Sequence, residues 1–445
     1  MNEMLTKSLI NKLEHRIATT KPLRRSGHIT QVIGLVIESE GPKASIGEVC
    51  KILDNNGNVI CQSEIVGFKN ENKILSMVLG ELNEISPGME IEATGKTLQI
   101  GVGEGLLGRI IDGIGNPIDG GNKLQTKELR TIYATPPNPL TRKRITEPIS
   151  TGIRAIDGVL TLGKGQRIGI FAGSGVGKST LLGMIARNTS ADVNVICLVG
   201  ERGREVREFI ERDLGEEGLR RSVVVISTSD TAPLVRVKAP LIATTIAEYF
   251  RDLGLDVMLM LDSATRLAMA QREVGLTIGE PPTSKGYTPS VFSFLQKTME
   301  RAGTSDVGSI TGLYTVLVEG DDMNEPIADA ARGILDGHIV LSRKLASLGH
   351  YPAIDLLESV SRVRNDIISS EHKTAANHIL ELLASYRISE DLISVGAYRK
   401  GSNPLTDRAI ALLPSINNFL KQDIYENANM SETIANLINI SKQYL

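Results

Sequence analysis

The sequence predicts an α/β protein with an N-terminal β-barrel, a central domain built on a mainly parallel sheet, and a helical C-terminal domain. Three observations support this. Short β-branched runs separated by turn signals fill residues 26–96, and near-continuous apolar runs alternate with helical patterns from 150 to 370. Residues 371–445 carry Leu, Ile and Ala at helical spacing and no strand signal. Strands of a parallel sheet that is covered on both faces form such apolar runs.

The composition is that of a folded protein with more than one domain. The chain has 445 residues, which is too long for one ordinary hydrophobic core. Its net charge of −3 gives no bulk attraction to nucleic acid, and 4% aromatic residues without Trp argue against a single-strand nucleic-acid surface. We therefore expect no nucleic-acid partner.

The cysteines and the hydropathy indicate the compartment. Cys50, Cys61 and Cys197 form no C-x-x-C pair and are odd in number, so neither a disulfide framework nor a zinc site is expected. Cys197 lies in an apolar run and is predicted to be a buried core thiol. No run approaches the ~18 apolar residues that span a bilayer, and the N-terminus does not resemble a secretory signal. These features predict a cytoplasmic protein with, at most, peripheral membrane association.

Changes in sequence character divide the chain into four predicted segments. They are a helix over 1–24, a barrel that serves assembly over 25–97, the α/β domain over 98–370 and the helical domain over 371–445.

The first segment has an amphipathic, mildly basic pattern. Apolar residues recur there at four-residue spacing, at Leu5, Leu9, Leu13 and Ile17. Because an isolated helix this short is marginal in water, it needs a packing partner. Two interpretations stay open: the helix packs on its own domain, or it docks onto another protein or a neighbouring subunit.

The predicted strands follow from β-branched and apolar runs. In the barrel they are Ile29–Ile37, Val59–Val66 and Ile74–Leu79. In the α/β domain they are Arg167–Ala172, Asn194–Val199, Ser222–Ser227, Val257–Leu261, Thr311–Val318 and His338–Leu341. The Gly- and Pro-rich residues 101–150 between them are predicted to be a connector, with consecutive turns over 107–117.

The strongest chemical signal is a strand that leads into a glycine-rich loop and then a helix. The loop consists of Gly173, Ser174, Gly175, Val176, Gly177, Lys178, Ser179 and Thr180. Backbone N–H groups of such a loop curl round phosphate oxygens, and the helix N-terminus adds partial positive charge. Lys178 is expected to reach the β and γ phosphates of ATP, as a binding and catalytic residue, and the Ser179 hydroxyl to ligate Mg²⁺. Ala172 stands where the usual pattern opens with Gly.

Two acidic residues follow predicted strands downstream of this loop. Asp262 ends an apolar strand, which is the usual place of the carboxylate that helps hold Mg²⁺ in P-loop proteins. Glu201 lies at the carboxyl end of another strand, where open α/β sheets bind ligands, and is a candidate for polarising an attacking water. Taken alone, the stretch around Glu201 favours a surface salt-bridge cluster with Arg202 and Arg204.

Four stretches together resemble the rotary ATPase family, which contains the catalytic beta subunit of ATP synthase and the secretion ATPases. They are the glycine-rich loop, Gly-Glu-Arg at 200–202, Asp-Ser-Ala-Thr-Arg at 262–266, and Tyr-Pro-Ala-Ile-Asp followed by Ser-Val-Ser-Arg at 351–362. The resemblance runs over nearly the whole chain and implies a RecA-like central domain.

The resemblance also implies roles for particular residues. Glu201 would be the catalytic carboxylate, supported by Arg202. Tyr351 would stack on adenine, and Arg266 would lie near the γ-phosphate. Arg362 would be an arginine finger on the nucleotide of a neighbouring subunit, a type of residue that contributes ~10³ to 10⁵ in rate. Hydrolysis would then require a ring.

Within that family the chain most resembles the flagellar, or type III, protein export ATPases, on the stretches 172–180, 268–275 with 279–290, and 321–329. An injectisome secretion ATPase is the close alternative. The ATP synthase beta subunit carries a longer acidic loop, of which only Ser389-Glu390-Asp391 is present here. The resemblance implies a homohexamer at the cytoplasmic face of an export apparatus, with a stator or regulator protein on the N-terminal helix. Export gate and stalk proteins and chaperone–substrate complexes are the other expected partners.

Other hypotheses stay in view. The chain could be the catalytic subunit of a mixed-ring rotary ATPase, or a nucleotide-holding subunit that does not hydrolyse, although the presence of Glu201 argues against the latter. A hexameric RNA translocase is disfavoured by the charge balance and the few aromatic residues. The loop Gly275–Ser290 is either a pore-facing loop or an ordinary surface loop, and the sequence alone does not separate the two.

Overall fold

A computed structural model describes residues 10, 12–13, 24–70, 72–82, 84–318, 320 and 322–443. The predicted N-terminal helix over 1–24 therefore lies almost entirely outside the described residues. The chain divides into two compact units, Met1–Leu98 and Gln99–Leu445. The finer division into four domains stays a prediction.

The first unit contains a closed barrel of six strands in the order β1-β2-β5-β4-β3-β6. The strands are β1 (Ser26–Ile33), β2 (Val36–Glu40), β3 (Glu48–Leu53), β4 (Val59–Phe68), β5 (Lys73–Val78) and β6 (Glu90–Thr97). Fully buried isoleucines at 37, 52, 65 and 91 fill its interior. The predicted barrel is confirmed.

One predicted barrel strand is wrong in detail. The run Ile29–Ile37 is not one strand but a hairpin, in which β1 and β2 pair antiparallel. The chain reverses at Gly34, whose φ of 57° lies in the left-handed region that glycine adopts readily. A single glycine between two β-branched runs did not signal a turn.

The second unit is built on a nine-stranded sheet with the order β19-β18-β12-β17-β15-β13-β14-β8, to which β16 adds as a partner of β17. The pairs from β8 to β18 are parallel, whereas β19 runs antiparallel to β18 and β16 antiparallel to β17. The strands are β8 (Ile110–Asp112), β12 (Arg167–Ala172), β13 (Val193–Val199), β14 (Ser222–Ser227), β15 (Asp256–Asp262), β16 (Gly303–Thr304), β17 (Ser309–Leu317), β18 (Gly337–Leu341) and β19 (Ile354–Ser361).

The six strands predicted for this sheet are confirmed, with ends within two residues of the predicted ones. The prediction of consecutive turns over 107–117 is confirmed at 107–108 and 113–114 but is wrong for Ile110–Asp112, which forms β8 and pairs in parallel with β14. A strand of three residues between glycines is too short to leave a pattern. Two further small sheets join β7 (Gln99–Val102) to β9 (Glu128–Thr131) and β10 (Pro148–Ile149) to β11 (Leu162–Gly163).

Helices follow the strands and continue to the C-terminal part, as predicted. We number the α-helices described after residue 177. They are α1 (Lys178–Asn188), α2 (Gly203–Glu208), α3 (Gly215–Arg220), α4 (Pro233–Asp252), α5 (Ala264–Thr277), α6 (Pro289–Met299), α7 (Pro326–Ile334), α8 (Arg343–Ser347), α9 (Arg364–Ile367), α10 (Ser370–Ser394), α11 (Pro404–Leu420) and α12 (Met430–Lys442). Short 3-10 turns (Glu104–Leu106, Ser284–Gly286) and π-helical turns (Ala155–Leu160, Phe209–Leu214) complete them.

The predicted loop Gly275–Ser290 is shorter than expected at both ends. Gly275 belongs to α5, and α6 has begun by Ser290. A Cβ at Gly275 would lie 2.6 Å from Glu280 Oε2 and 2.7 Å from Thr288 Oγ1, so these two side chains pack closely against α5 at this position.

The central strands of the large sheet are buried on both faces, namely β12, β13, β14, β15 and β17. Cys197 is 0% exposed in β13, and the predicted core thiol is confirmed. Leu198, Met260 and Leu313 pack with residues of α1 in one continuous core, so the sheet holds the loop before α1 on a rigid support. In the part of the chain that the structure describes, no helix has both the length and the apolar character needed to cross a membrane.

Candidate active site

The glycine-rich loop connects the carboxyl end of β12 to the first residue of α1. Gly175 and Gly177 have φ values of 77° and 89°, which place both in the left-handed region. This conformation turns the chain tightly before Lys178, where α1 begins with Gly177 as its N-cap. The predicted strand–loop–helix context of the loop is therefore present, and Ser179 is exposed in the first turn of the helix.

Asp262 lies next to this loop at the end of β15. Asp262 is 3% exposed, and its carboxylate accepts a hydrogen bond of 2.7 Å from Thr315 Oγ1 in the neighbouring strand β17. The Lys178 ammonium forms an ion pair with the same carboxylate oxygen, Oδ1. Lys178 and Asp262, predicted from separate motifs, thus share one site.

Glu201 approaches the same site from β13. The register aligns Leu198 of β13 with Asp262 of β15, so the residues that follow β13 emerge at the same edge of the sheet. Glu201 is 7% exposed, and its carboxylate lies 3.6 Å from Lys178 Nζ and 3.2 Å from Arg266 Nη2. The alternative of a surface salt-bridge cluster is wrong, because Arg204 pairs with Glu208 instead.

The environment of Glu201 changes its protonation. Burial raises the pKa of Glu201 to about 7, against the opposing effect of the Lys178 ammonium. The neighbouring Asp262 and a hydrogen bond with Glu205 contribute to this rise of the pKa, whereas Arg266 opposes it, and the same hydrogen bond lowers the pKa of Glu205. A carboxyl group that titrates near neutral pH in a cleft is suited to general-base or water-polarising chemistry.

Two arginines predicted for the site differ in their placement. Arg266 is at the site: besides its ion pair with Glu201, its Nη1 donates to the carbonyl of Gly200. Arg202 is exposed at the N-cap of α2, and the acidic group on which its charge acts is Glu205. The supporting role of Arg202 towards Glu201 therefore stays a prediction.

A cavity of about 450 Å³ opens beside the loop and α1. Tyr351 lies on one wall, with its ring carbon Cδ1 3.6 Å from the position of a Cβ at Gly177. The segment 422–424 also lines this cavity, and the Gln422 N–H donates to the Tyr351 carbonyl at 2.9 Å. A cavity of this size, with an aromatic ring at its side and the phosphate loop at its floor, fits the base and sugar of a nucleotide.

Arg362 lies at the other end of the sheet. It follows Ser361, which is level with Gly337 at the amino end of β18, whereas the loop follows the carboxyl end of β12. At about 3.3 Å per residue, the five steps from Arg167 to Ala172 in β12 span roughly 16 Å. The structure therefore does not bring Arg362 to the loop of its own chain.

Sequence reasoning missed three parts of the site. Thr315, which holds Asp262, is one of two threonines in the apolar strand β17, and nothing local distinguishes it. The segment 422–424 comes from far along the chain. Glu205 could have been found from the sequence, because it stands four residues after Glu201. It lies in the first turn of the helix that follows Glu201.

A phosphate-binding loop between β12 and α1, a lysine at the helix start and two carboxylates from neighbouring strands define a P-loop nucleoside triphosphatase. Family models agree: residues 29–95 match the ATP synthase alpha/beta family beta-barrel domain and residues 152–361 its nucleotide-binding domain. Residues 368–439 match the T3SS EscN ATPase C-terminal domain. The chain belongs to the ATP synthase alpha/beta family, and it is an ATPase that binds ATP.

Relatives and solved structures extend this over the whole chain. The Flagellum-specific ATP synthase of Bacillus subtilis is 56% identical, with 98% of this chain and 99% of the relative covered. The Type 3 secretion system ATPase of Xanthomonas euvesicatoria is 47% identical, with 98% of both chains covered. The assembled ATPase EscN of the enteropathogenic E. coli type III secretion system is 46% identical, with a TM-score of 0.88 over 93% of this chain and 100% of that one.

Proposed function

We propose that this chain is the Mg²⁺-dependent ATPase of a flagellar type III protein export apparatus, working as a homohexameric ring. The observation that carries the hydrolytic part is the buried Glu201 held between Lys178 and Arg266, beside the phosphate loop. The export part rests on the C-terminal match to the T3SS EscN ATPase domain and on relatives named for the flagellum.

The residues present fit the proposed chemistry. Ser179 and Asp262 offer a hydroxyl and a carboxylate, the hard oxygen ligands that Mg²⁺ prefers. When bound, Mg²⁺ would neutralise charge on the phosphates. Glu201 orients and polarises a water for in-line attack on the γ-phosphate, while Lys178 and Arg266 stabilise the negative charge of the transition state. Gly173 to Thr180 hold the phosphates, and Tyr351 stacks on adenine.

The position of Arg362 supports a ring. Because it lies at the amino edge of the sheet, it is too far from the phosphate loop of its own chain to act there. In a head-to-tail ring, one subunit can offer its amino edge to the loop of the next. Arg362 is then the finger on the neighbour's nucleotide, and one chain alone holds an incomplete site.

Relatives support the partners we propose. EscN has been solved as an assembled ATPase and in complex with its central stalk EscO, at 45% identity and a TM-score of 0.87. We infer a stalk protein as a partner here, and further an export gate, chaperone–substrate complexes and a regulator on the N-terminal helix. The working place of such a ring is the cytoplasmic face of the export apparatus.

An injectisome is the second candidate, since type 3 secretion system ATPases match at 47–48% identity. Replacing the Bacillus subtilis relative by this chain separates the two. Restored swimming, which Lys178→Ala should abolish, supports the flagellar assignment. Stable expression of an active ATPase without filaments would favour the injectisome.

The ring is tested by the ATPase rate per chain as protein concentration is raised. A steep rise is expected, since subunits complete each other's sites. Lys178→Ala and Arg362→Ala should each be inactive alone, but a mixture should recover turnover. In the mixture, Arg362 of a Lys178→Ala subunit can act on the nucleotide held by the intact phosphate loop of an Arg362→Ala subunit. Full activity of Arg362→Ala, or no recovery in the mixture, would overturn action between subunits.

A further inference from the structure

Arg362 is held by its main chain as well as by its side chain. Its N–H donates to the carbonyl of Asp336 at 3.0 Å, and its Nη2 donates to the carbonyl of Arg332 at 3.1 Å. Arg332 lies in the last turn of α7, and Asp336 lies in the short segment between α7 and β18. The direction of the guanidinium therefore depends on how the end of β19 is fixed against this segment.

The fully buried side-chain amide of Gln166 joins the end of β19 to this segment. Gln166 is 0% exposed and precedes β12 at the amino edge of the sheet. Its Nε2 donates to the Asp336 carbonyl at 3.2 Å and to Ser361 Oγ at 3.0 Å. Its Oε1 accepts from the Gly163 N–H at 2.9 Å. Both amide protons and the amide oxygen are thus engaged.

The network converges on Arg362 from two sides. The Asp336 carbonyl accepts both from Gln166 and from the Arg362 N–H, and Ser361 is the residue directly before Arg362. Ser361 Oγ also contacts the Thr161 carbonyl at 3.0 Å. A buried network whose members are all satisfied fixes one geometry, whereas a buried group that loses its partner is costly.

We propose that Gln166 is a positioning residue for Arg362, an inference that rests on the proposed action of Arg362 on the neighbouring subunit. Its amide locks the end of β19 to the start of β18 and so fixes the main chain from which the exposed Arg362 side chain extends. Because a misplacement of about 1 Å can cost ~10²-fold in rate, this residue controls turnover without touching the nucleotide.

The first test compares Gln166→Leu and Gln166→Glu with the natural chain. Leu removes every hydrogen bond of the side-chain amide at similar volume, and Glu keeps the acceptor but loses both donors. We expect kcat to fall roughly 10- to 100-fold, while the affinity for a fluorescent ATP analogue stays unchanged, since the phosphate loop is at the other end of β12. A loss of affinity equal to the loss of kcat would overturn the proposal.

Asn194 provides the matched control. It is also 0% exposed and lies near the amino edge of the sheet, in β13, where its Nδ2 donates to the Ala186 carbonyl at 2.8 Å and to Ser222 Oγ at 3.3 Å. Asn194→Leu should lower the unfolding temperature as Gln166→Leu does, but leave kcat near the natural value. An equal fall of kcat in both variants would mean that Gln166 acts only through stability.

Mixing variants then distinguishes the positioning role of Gln166 from the proposed action of Arg362 on the neighbouring subunit. A Gln166→Leu subunit keeps its phosphate loop, but its Arg362 is misplaced. Mixing it with Lys178→Ala subunits should therefore restore turnover, whereas mixing it with Arg362→Ala subunits should not. If Lys178→Ala rescues Arg362→Ala but not Gln166→Leu, the role of Gln166 is overturned and the ring stands. If it rescues neither, the action of Arg362 between subunits fails and this inference fails with it.

Discussion

Arg266 of α5 forms an ion pair with Glu201 after β13, with Nη2 3.2 Å from Oε2. The two residues are brought together by the parallel pairing of β13 and β15, because β15 leads into α5. Lys178 lies 3.6 Å from the other carboxylate oxygen, so Glu201 is held between two cations in a nearly closed pocket. A buried carboxylate between two cations is the kind of preorganised charge that electrostatic catalysis requires.

Replacing Glu201 by Gln should abolish turnover and preserve binding. The amide keeps the shape of the side chain but cannot carry the charge that polarises water, and such a loss costs about 10²- to 10⁴-fold in rate. Rapid-quench single-turnover kinetics measures the chemical step, and equilibrium titration with ATP measures binding. Glu208→Gln, an exposed carboxylate at the end of the helix that follows Glu201, is the control and should leave both unchanged. Undiminished turnover in Glu201→Gln would remove Glu201 from the catalytic role.

Activity should fall on the acidic side of neutral pH. Because burial raises the pKa of Glu201 to about 7, this carboxyl group becomes protonated as the pH drops through that value and loses its ability to polarise water. The pH profile of kcat/KM reports groups of the free enzyme and should bend near this pKa. Since the hydrogen bond with Glu205 raises the pKa of Glu201, Glu205→Gln should move the bend to lower pH.

The same pKa predicts a stability change of defined sign. A carboxyl whose pKa is higher in the folded than in the unfolded chain stabilises the fold when protonated, and this contribution is lost as the pH rises from about 4.5 to about 7. Thermal unfolding across this window should reveal the loss, and Glu201→Gln should remove that part of the dependence. A profile of the natural chain identical to that of the variant would contradict the assignment.

The parts of the fold that the sequence predicted are those with local signals. Lys178 and its loop, and the strand that ends in Asp262, carry their pattern within about a dozen consecutive residues, and the six central strands are continuous apolar runs. By contrast, β8 is only Ile110–Asp112 and exists because β14 offers it a free edge. Its formation depends on pairing with residues more than a hundred positions away, which no local pattern encodes.

The sequence predicted most residues of the site, but it did not predict the contacts between them. Glu201 was ambiguous alone, because a carboxylate flanked by arginines is common on surfaces, and burial beside Lys178 decides the matter. The hydrogen bond from Thr315 to Asp262 and the wall formed by 422–424 join segments that are distant in sequence. The position of Arg362 at the amino edge follows from the antiparallel direction of β19, which the sequence did not reveal.

Tyr351 should control the affinity for nucleotide and not the rate of hydrolysis. Its side chain is 45% exposed on the wall of the cavity, so its ring is free to stack on a base. Stacking on an aromatic ring is worth about 1–3 kcal/mol per base, which corresponds to a rise in the Kd of Tyr351→Ala of at least about fivefold. The kcat should change little, as expected when an interaction is equal in ground and transition states. Tyr351→Phe, which keeps the ring, is the control, and an equal loss in both variants would exclude stacking as the cause.

The hydroxyl of Thr315 should determine how tightly the site holds Mg²⁺. Thr315 Oγ1 donates to Asp262 Oδ1 at 2.7 Å, and both groups are buried, so the hydrogen bond fixes the direction of the carboxylate. Loss of a partner that orients a metal ligand typically weakens metal affinity about 10- to 100-fold. Thr315→Val keeps the shape and removes this donor, so the Mg²⁺ concentration that gives half-maximal ATPase activity should rise by about tenfold or more.

Thr311 supplies the comparison for Thr315. It lies four residues earlier on the same strand, is equally buried, and accepts from the Gly165 N–H at 2.9 Å, away from Asp262. Because it also loses a buried hydrogen bond, Thr311→Val should destabilise the fold to a similar extent while the Mg²⁺ requirement stays unchanged. If both variants shift the Mg²⁺ requirement equally, the effect comes from a weakened strand. A shift in Thr315→Val alone means that the hydroxyl acts through Asp262 and that this carboxylate helps to hold the metal.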